Sequence, residues 1–272
     1  MSTKMKVIDL FCGAGGFSEG FSQAGFEIAT GIDIDKNACM TFEHNFSKAK
    51  VLQMDIKDWQ PAEDHKVDVI IGSPPCIEFS KGNVNRTFDL SLVNEFLRII
   101  KILNPKYWVM ENVEEVRIMH EDLYRHVELP QEFKYQILKA EYFGVASRRP
   151  RFFGGIFPEV KFPMIKQAVK NVIKINVPGF RTFKTLDDRV FKARYIDIDG
   201  VGPCITTKRQ HIERYLLPNG RQLEVGEMAL LMGFPNDFLF LGSRSKAIWL
   251  IGNAVCPPVA KAIAEAIKKE QK

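Results

Sequence analysis

Cys76 stands on a corner made by a glycine and two prolines, in the stretch GSPPCIEFS at 72–80, directly after the hydrophobic run VDVII. A thiol on so constrained a strand end suits nucleophilic attack. A nearby positive charge or helix N-terminus would raise its thiolate fraction above the few per cent that a pKa of about 8.5 allows. Glu111 closes another hydrophobic run, KYWVMEN at 106–112, and a carboxylate facing a thiol across one crevice can act as a proton donor with a raised pKa. A third cluster is FCGAGGF at 11–17, where Gly13, Gly15 and Gly16 would let the backbone approach a nucleoside-type ligand closely. Ser18 occupies the third position of the dinucleotide fingerprint, so a pyrophosphate cofactor is disfavoured and a phosphate-free one fits better. Asp33 ends the next hydrophobic run and could hydrogen-bond ribose hydroxyls, or Asp33 or Asp35 could cap the helix that follows. Each feature has an ordinary alternative in a core thiol, a solvated carboxylate or a tight turn. The strand-end position favours chemistry for Cys76 and Glu111, while Cys12, Cys39, Cys204 and Cys256 read as small core residues.

These residues meet only if the scaffold gathers strand ends. KVIDLF (6–11), FEIATGI (26–32), KVLQM (50–54), VDVIIG (67–72) and KYWVMEN (106–112) read as strands. Ser18–Ala24, IDKNACMTFEHNF (34–46) and LSLVNEFLRIIKIL (90–103) have helical spacing. KYQILKAEYF and RRPRFFGGIF, within 134–157, form a closing pair of strands. The alternation predicts an α/β fold with a parallel, doubly wound sheet covered on both faces, which binds ligands at the carboxyl ends of its strands. The glycine turn, Asp33, Asp55, Pro75-Cys76 and Glu111-Asn112 then converge on one crevice.

At 272 residues and 46% hydrophobic, the chain can bury one large domain, or one domain and a smaller lobe. Five scattered cysteines, never in a C-x-x-C arrangement, argue against a disulfide framework and a zinc cage. No apolar run approaches the roughly 20 residues that span a bilayer, and no cleavable leader is evident, so a cytoplasmic location is expected. The net charge of +5 is unevenly distributed: residues 158–221 hold 13 Lys or Arg against 6 Asp or Glu. A local basic excess is the footprint of a polyanion binder.

Read in order, DLFCGAGGF, PPCIEFS, ENV at 111–113, SRRPR at 147–151, RQLEVGEMALLMGFP at 221–235 and IGNAVCPPVAKAIA at 251–264 resemble the DNA cytosine-5 methyltransferases of restriction-modification systems. The resemblance runs from residue 6 to residue 267 and leaves only about 158–200 unmatched. It implies a Rossmann-like, S-adenosylmethionine-dependent methyltransferase sheet. A catalytic and cofactor-binding domain at 1–157 would be completed by 244–272, with a small target-recognition domain at 158–243. It implies methyl transfer from S-adenosylmethionine to carbon 5 of a cytosine flipped out of a short duplex target, at a cost of roughly a few kcal/mol. In that mechanism the Cys76 thiolate adds to carbon 6 while Glu111 protonates or hydrogen-bonds ring nitrogen 3. Carbon 5 then takes the methyl group, and loss of its proton expels the thiol. Arg149 and Arg151 match the family's arginine pair, Arg151 toward the cytosine carbonyl. Phe11, Gly13, Gly15 and Gly16 carry over to the methionine moiety, Asp33 to the ribose, Ile34, Asp55 and Ile56 to the adenine, Pro75 to the nucleophile's side and Asn253 to the completed pocket. The helix from Pro257 to Lys268 is expected beside the N-terminal strand.

The chain departs from the family at several points. Ile77 and Glu78 follow the nucleophile in place of a glutamine and a small residue. Ile34 stands where an aromatic ring commonly covers the adenine, Ala254 replaces a frequent serine, and the loop KGNVNRTFD lacks some of the usual glycines. None of these removes a catalytic group. The interleaved basic and aromatic stretch GFRTFKTLDDRVFKARY at 179–195 suits phosphate contacts and some base contacts. Double-stranded DNA is the expected partner of a monomer without metal or membrane, with a cognate restriction endonuclease as functional counterpart. Two rivals stand beside this reading: a transfer-RNA cytosine-5 methyltransferase, and a non-catalytic nucleic-acid-binding member of the fold. Cys76, Glu111, Arg149 and Arg151 together weigh against the second.

Overall fold

Short runs of valine, isoleucine and aromatic residues supply the strands, and their alternation decides which face each side chain enters. In a computed structural model, the structure describes residues 4–62, 67–75, 90–119, 129–174, 179–186, 189–206, 215, 217–219 and 221–271. Strands β1 (Lys6–Leu10), β2 (Glu27–Asp33), β3 (Lys50–Gln53), β4 (Val69–Gly72), β5 (Tyr107–Val113), β6 (Lys134–Lys139) and β7 (Pro150–Ile156) form one sheet in the order β3-β2-β1-β4-β5-β7-β6. The first five of that order are parallel, as expected. The closing pair ends the parallel run: β7 runs antiparallel to both β5 and β6 and inserts between them, a direction and order that the sequence leaves open. Only residues 140–149 join β6 to β7, fewer than the dozen or so that a parallel crossover requires.

Successive side chains of the central strands separate into two cores. Val7, Val69, Ile71 and Val109 face one side, with Phe17 and Phe21 of α1 (Gly16–Gln23) and Phe42 of α2 (Lys36–Asn45). Ile8, Leu10, Ile70, Trp108 and Met110 face the other, with Val93, Phe96, Leu97, Ile99 and Leu103 of α3 (Ser91–Leu103). Each such large side chain contributes about 1.5–3 kcal/mol on burial. The chain thus winds outward from β1 to β3 under one face and returns to β4 under the other, so its topology reverses between β1 and β4. The carboxyl ends of those two strands are where such a sheet opens a crevice.

Farther along lie α4 (Val169–Val172), an antiparallel hairpin of β8 (Gly179–Leu186) and β9 (Arg189–Asp197), and helices α5 (Val225–Leu231), α6 (Arg244–Asn253) and α7 (Pro257–Glu270). Met228, Leu231, Phe234 and Phe238 join the first core, where the Phe238 ring lies 6.2 Å from that of Phe46. Helix α7 packs on α1, the helix that follows β1. A methyl group added at Gly20 would come within 2.4 Å of both the Ala260 Cβ and the Pro257 carbonyl oxygen. The Lys268 ammonium donates to the Ala24 carbonyl at 2.9 Å, and the Tyr107 hydroxyl to Glu270 Oε2 at 2.7 Å. The stretch Arg244–Glu270 is long and apolar enough to cross a bilayer, contrary to the expectation that no stretch approaches that length, but 72% of its apolar window is buried inside the fold.

Candidate active site

The carboxyl ends of five strands and the start of β7 open into a single cleft of about 1170 Å³. Of the residues expected there, Phe11, Gly13, Gly16, Asp33, Ile34, Asp55, Ile56, Pro75, Glu111, Arg149, Arg151 and Asn253 line it. Gly15 is not among the lining residues. Its φ of 95° starts α1, and a Cβ there would lie 2.4 Å from the Phe46 ring, so this glycine permits a turn and a close packing contact. Cys76, Ile77, Glu78 and the loop after Ser80 lie outside the described residues, whereas Pro75, the residue before Cys76, is on the cleft wall.

The two acidic groups after β2 divide the roles that the sequence left open. Asp35 caps α2, its carboxylate accepting from the Ala38 amide at 2.9 Å. Asp33 is thereby released to hold the glycine turn, accepting from the Gly13 amide at 2.9 Å and the Asp35 amide at 2.8 Å. Burial pushes the Asp33 pKa up, while the Asp35 and Gly13 amides pull it back. Each of its oxygens keeps lone-pair capacity for a ligand hydroxyl. Phe11 and Gly13 both take left-handed backbone conformations, with φ of 58° and 53°, and a Cβ on Gly13 would meet nothing within 4 Å. That open backbone beside a ribose-type acceptor fits a nucleoside cofactor without phosphates. Asp55 caps the 3₁₀ turn Ile56–Asp58 through the Lys57 amide at 3.0 Å. Arg98 of α3 fixes the same turn by donating to the Ile56 and Trp59 carbonyls at 3.2 and 2.9 Å.

At the other end, Glu111 is only 5% exposed, and its Oε1 lies 3.2 Å from Arg151 Nε. The register places Arg151 opposite Val113, two residues beyond Glu111 on β5, so the antiparallel insertion of β7 is what delivers the guanidinium. Burial and the charge of Arg149 lower the Arg151 pKa, against the opposing pull of Glu111. Asn112 Nδ2 reaches the Pro74 carbonyl at 3.4 Å, tying the end of β5 to the Pro-Pro corner.

Arg149 belongs to the frame more than to the cleft surface. It is 3% exposed, and its guanidinium donates to the carbonyls of Gly252, Ala254 and Ile205 at 2.8, 2.9 and 3.3 Å and approaches the Cys204 sulfur at 3.5 Å. The Tyr215 hydroxyl donates to the Cys204 carbonyl at 3.0 Å. Burial pushes the Cys256 thiol up to about 12 against the two arginine charges, and the Cys39 thiol up to about 11. Both are therefore inert core thiols. Cys204, expected as a core thiol, is instead half-buried and lines the cleft, because it lies between Arg149 and the Tyr215 segment. Tyr215 and Trp249 line it too, although the sequence did not single them out. Asp9 also lines it, and its place in DLFCGAGGF was the available signal. Burial raises its pKa to about 7 even though the Ser18 hydroxyl donates to it at 2.6 Å. Among the described residues no group of three or more His, Cys, Asp or Glu side chains could hold a metal ion.

The family model for C-5 cytosine-specific DNA methylases matches residues 5–177 and 202–269. The chain is 32% identical to the type II methyltransferase M1.HphI of Haemophilus parahaemolyticus, over 97% of this chain and 87% of that protein. It is 30% identical to the type II methyltransferase M.HindV of Haemophilus influenzae, over 97% of this chain and 96% of that one. Among solved structures, a prophage-encoded Escherichia coli protein assigned as a DNA modification methyltransferase shares the fold at a TM-score of 0.74 and 23% identity, covering 98% of this chain and 99% of that one.

Proposed function

This chain belongs to the C-5 cytosine-specific DNA methylase family, and from that premise we propose how its cleft serves the reaction. It is a DNA (cytosine-5) methyltransferase. The cofactor is S-adenosylmethionine, which when bound supplies an electrophilic methyl group on a sulfonium. Asp33 would hold its ribose hydroxyls, Ile34 and the Asp55–Ile56 turn would border its adenine, and the Phe11–Gly16 backbone and Asn253 would receive its methionine part.

The flipped cytosine enters at the β4 and β5 ends. Cys76, next to Pro75, adds to carbon 6. Glu111, held through Oε1 by Arg151, presents a protonated Oε2 to ring nitrogen 3, and the proton donated there makes carbon 6 electrophilic. Addition of the Cys76 thiolate leaves carbon 5 as the nucleophilic carbon of an enamine, and after methylation loss of the carbon 5 proton expels the thiolate. Arg151 holds the carboxylate and faces the cytosine carbonyl, while Arg149 keeps the surrounding backbone in place. The single observation that carries this reading is the Glu111–Arg151 pair at 3.2 Å in the cleft that Pro75 and the glycine turn also line. The catalytic body is 1–157 completed by 244–272, and 158–243 recognises the target. The family match omits 178–201, the span of the β8–β9 hairpin, as suits an element that differs with the sequence read. The enzyme works as a cytoplasmic monomer on double-stranded DNA, with a restriction endonuclease as its functional counterpart.

The test is transfer of tritiated methyl from S-adenosylmethionine to unmethylated duplex DNA and, in parallel, to transfer RNA. Label in DNA recovered as 5-methylcytosine is expected, absent with Cys76→Ala and reduced about 10²- to 10⁴-fold with Glu111→Gln. Label in transfer RNA alone would assign the RNA reaction instead.

A further inference from the structure

The nucleoside end of the cleft carries an indole that the reaction scheme above does not use. Lys246, Trp249 and Asn253 recur at helical spacing on α6, opposite the buried Ala247, Ile248 and Ile251. Trp249 and Asn253 both line the cleft. Trp249 is 37% exposed, whereas Trp59 and Trp108 are buried at 9% and 1%. The indole is fixed in place. The Lys246 ammonium sits 3.8 Å from its ring centroid and at the same time 2.5 Å from Asp35 Oδ2, a cation–π contact that occupies one face of the ring. Because Asp35 follows β2, the ring stands at the β2 end of the cleft. Three strand spacings, about 14 Å, separate that end from Glu111 on β5. On the same wall Ile34 leaves 66% of its surface exposed. A tethered aromatic face and a bare aliphatic side chain, both turned into one apolar recess, match a flat heteroaromatic ring.

We infer that Trp249 forms the aromatic wall of the nucleoside end of the cleft, its indole packing against the adenine of S-adenosylmethionine across from Ile34. The inference rests on the proposed cofactor and extends it to a residue contributed by α6. Lys246 acts through Trp249 as a positioning residue, setting the ring by its bond to Asp35.

The experiment measures binding of S-adenosylhomocysteine and of adenosine by titration calorimetry and by intrinsic fluorescence, alongside steady-state methylation of duplex DNA, for the wild type, Trp249→Ala and Trp249→Phe. Trp249→Ala should weaken both ligands and raise the KM for S-adenosylmethionine by about 3- to 10-fold, with no rise in the KM for DNA. Trp249→Phe should recover most of that loss. Adenosine alone should change the fluorescence of the wild type, and the change should vanish in Trp249→Phe, whose two remaining indoles are buried. A raised KM for DNA with unaltered cofactor binding would overturn the inference by making Trp249 a nucleic-acid contact. Equal ligand affinity in all three proteins would overturn it as well. A wild type that binds neither ligand would instead overturn the cofactor assignment itself.

Discussion

Arg149 and Arg151 are two residues apart and equally basic, yet their surroundings give them different work. Arg149 satisfies three backbone carbonyls from segments 56 to 105 residues away, whereas Arg151 orients a carboxylate in the cleft. The sequence shows an arginine pair and no more, because what separates the two is the identity of remote backbone partners. Arg149→Met should therefore lower stability by at least ~3 kcal/mol in chemical denaturation, since it strands buried carbonyls, and Arg151→Met should cost far less stability while suppressing turnover. Asp9 supplies a pH-dependent prediction. Its pKa is raised by burial to about 7 in the folded protein from the ordinary carboxyl value of 3.8, so between these values the folded state keeps a proton that the unfolded state has lost. Its contribution falls as pH rises from about 4 to 7 and stays low above that, with a slope of at most about 1.4 kcal/mol per pH unit. Asp9→Asn retains an acceptor for Ser18 and should raise the melting temperature more at pH 8 than at pH 5.

Among the elements, those governed by local periodicity were the legible ones. The strands at the sheet centre and the long amphipathic α3 start and stop within a residue or two of the pattern, because burial of one face decides them. The placement of β7 between β5 and β6 was not legible, since pairing order depends on contacts that no local run encodes. Gly20 was missed for the same reason. A glycine inside a helix costs about 1 kcal/mol relative to alanine, and only the Pro257–Ala260 backbone, pressed against it from α7, explains its presence. Gly20→Ala should accordingly destabilise by about 1–3 kcal/mol in denaturant titration despite the better helix propensity, because α1 and α7 cannot separate without loosening the first core.

Across the whole molecule, the proposed function gives the chemistry to the sheet and the choice of target to the residues that the family match omits. The site's strand-end composition could be read from the chain because the fold class alone directs those ends to one edge. The recognised bases could not, because base readout depends on the docked geometry of a hairpin against a groove. Replacing Gly179–Asp197 by a short Gly-Ser linker should leave S-adenosylhomocysteine affinity within about twofold by calorimetry. The same replacement should abolish methylation at the cognate site.

The bonds from Arg149 to Gly252 and Ala254 also set an order of assembly during synthesis. The last strand of the sheet ends at Ile156, and α6 begins only at Arg244, about ninety residues later. At roughly 5–20 residues per second, every strand of the sheet would be synthesised several seconds before the partners of Arg149, and before Trp249 and Asn253 were made. A message cut within that interval would yield a polypeptide without the α6 wall, so a broken transcript would leave no truncated enzyme able to mark the genome.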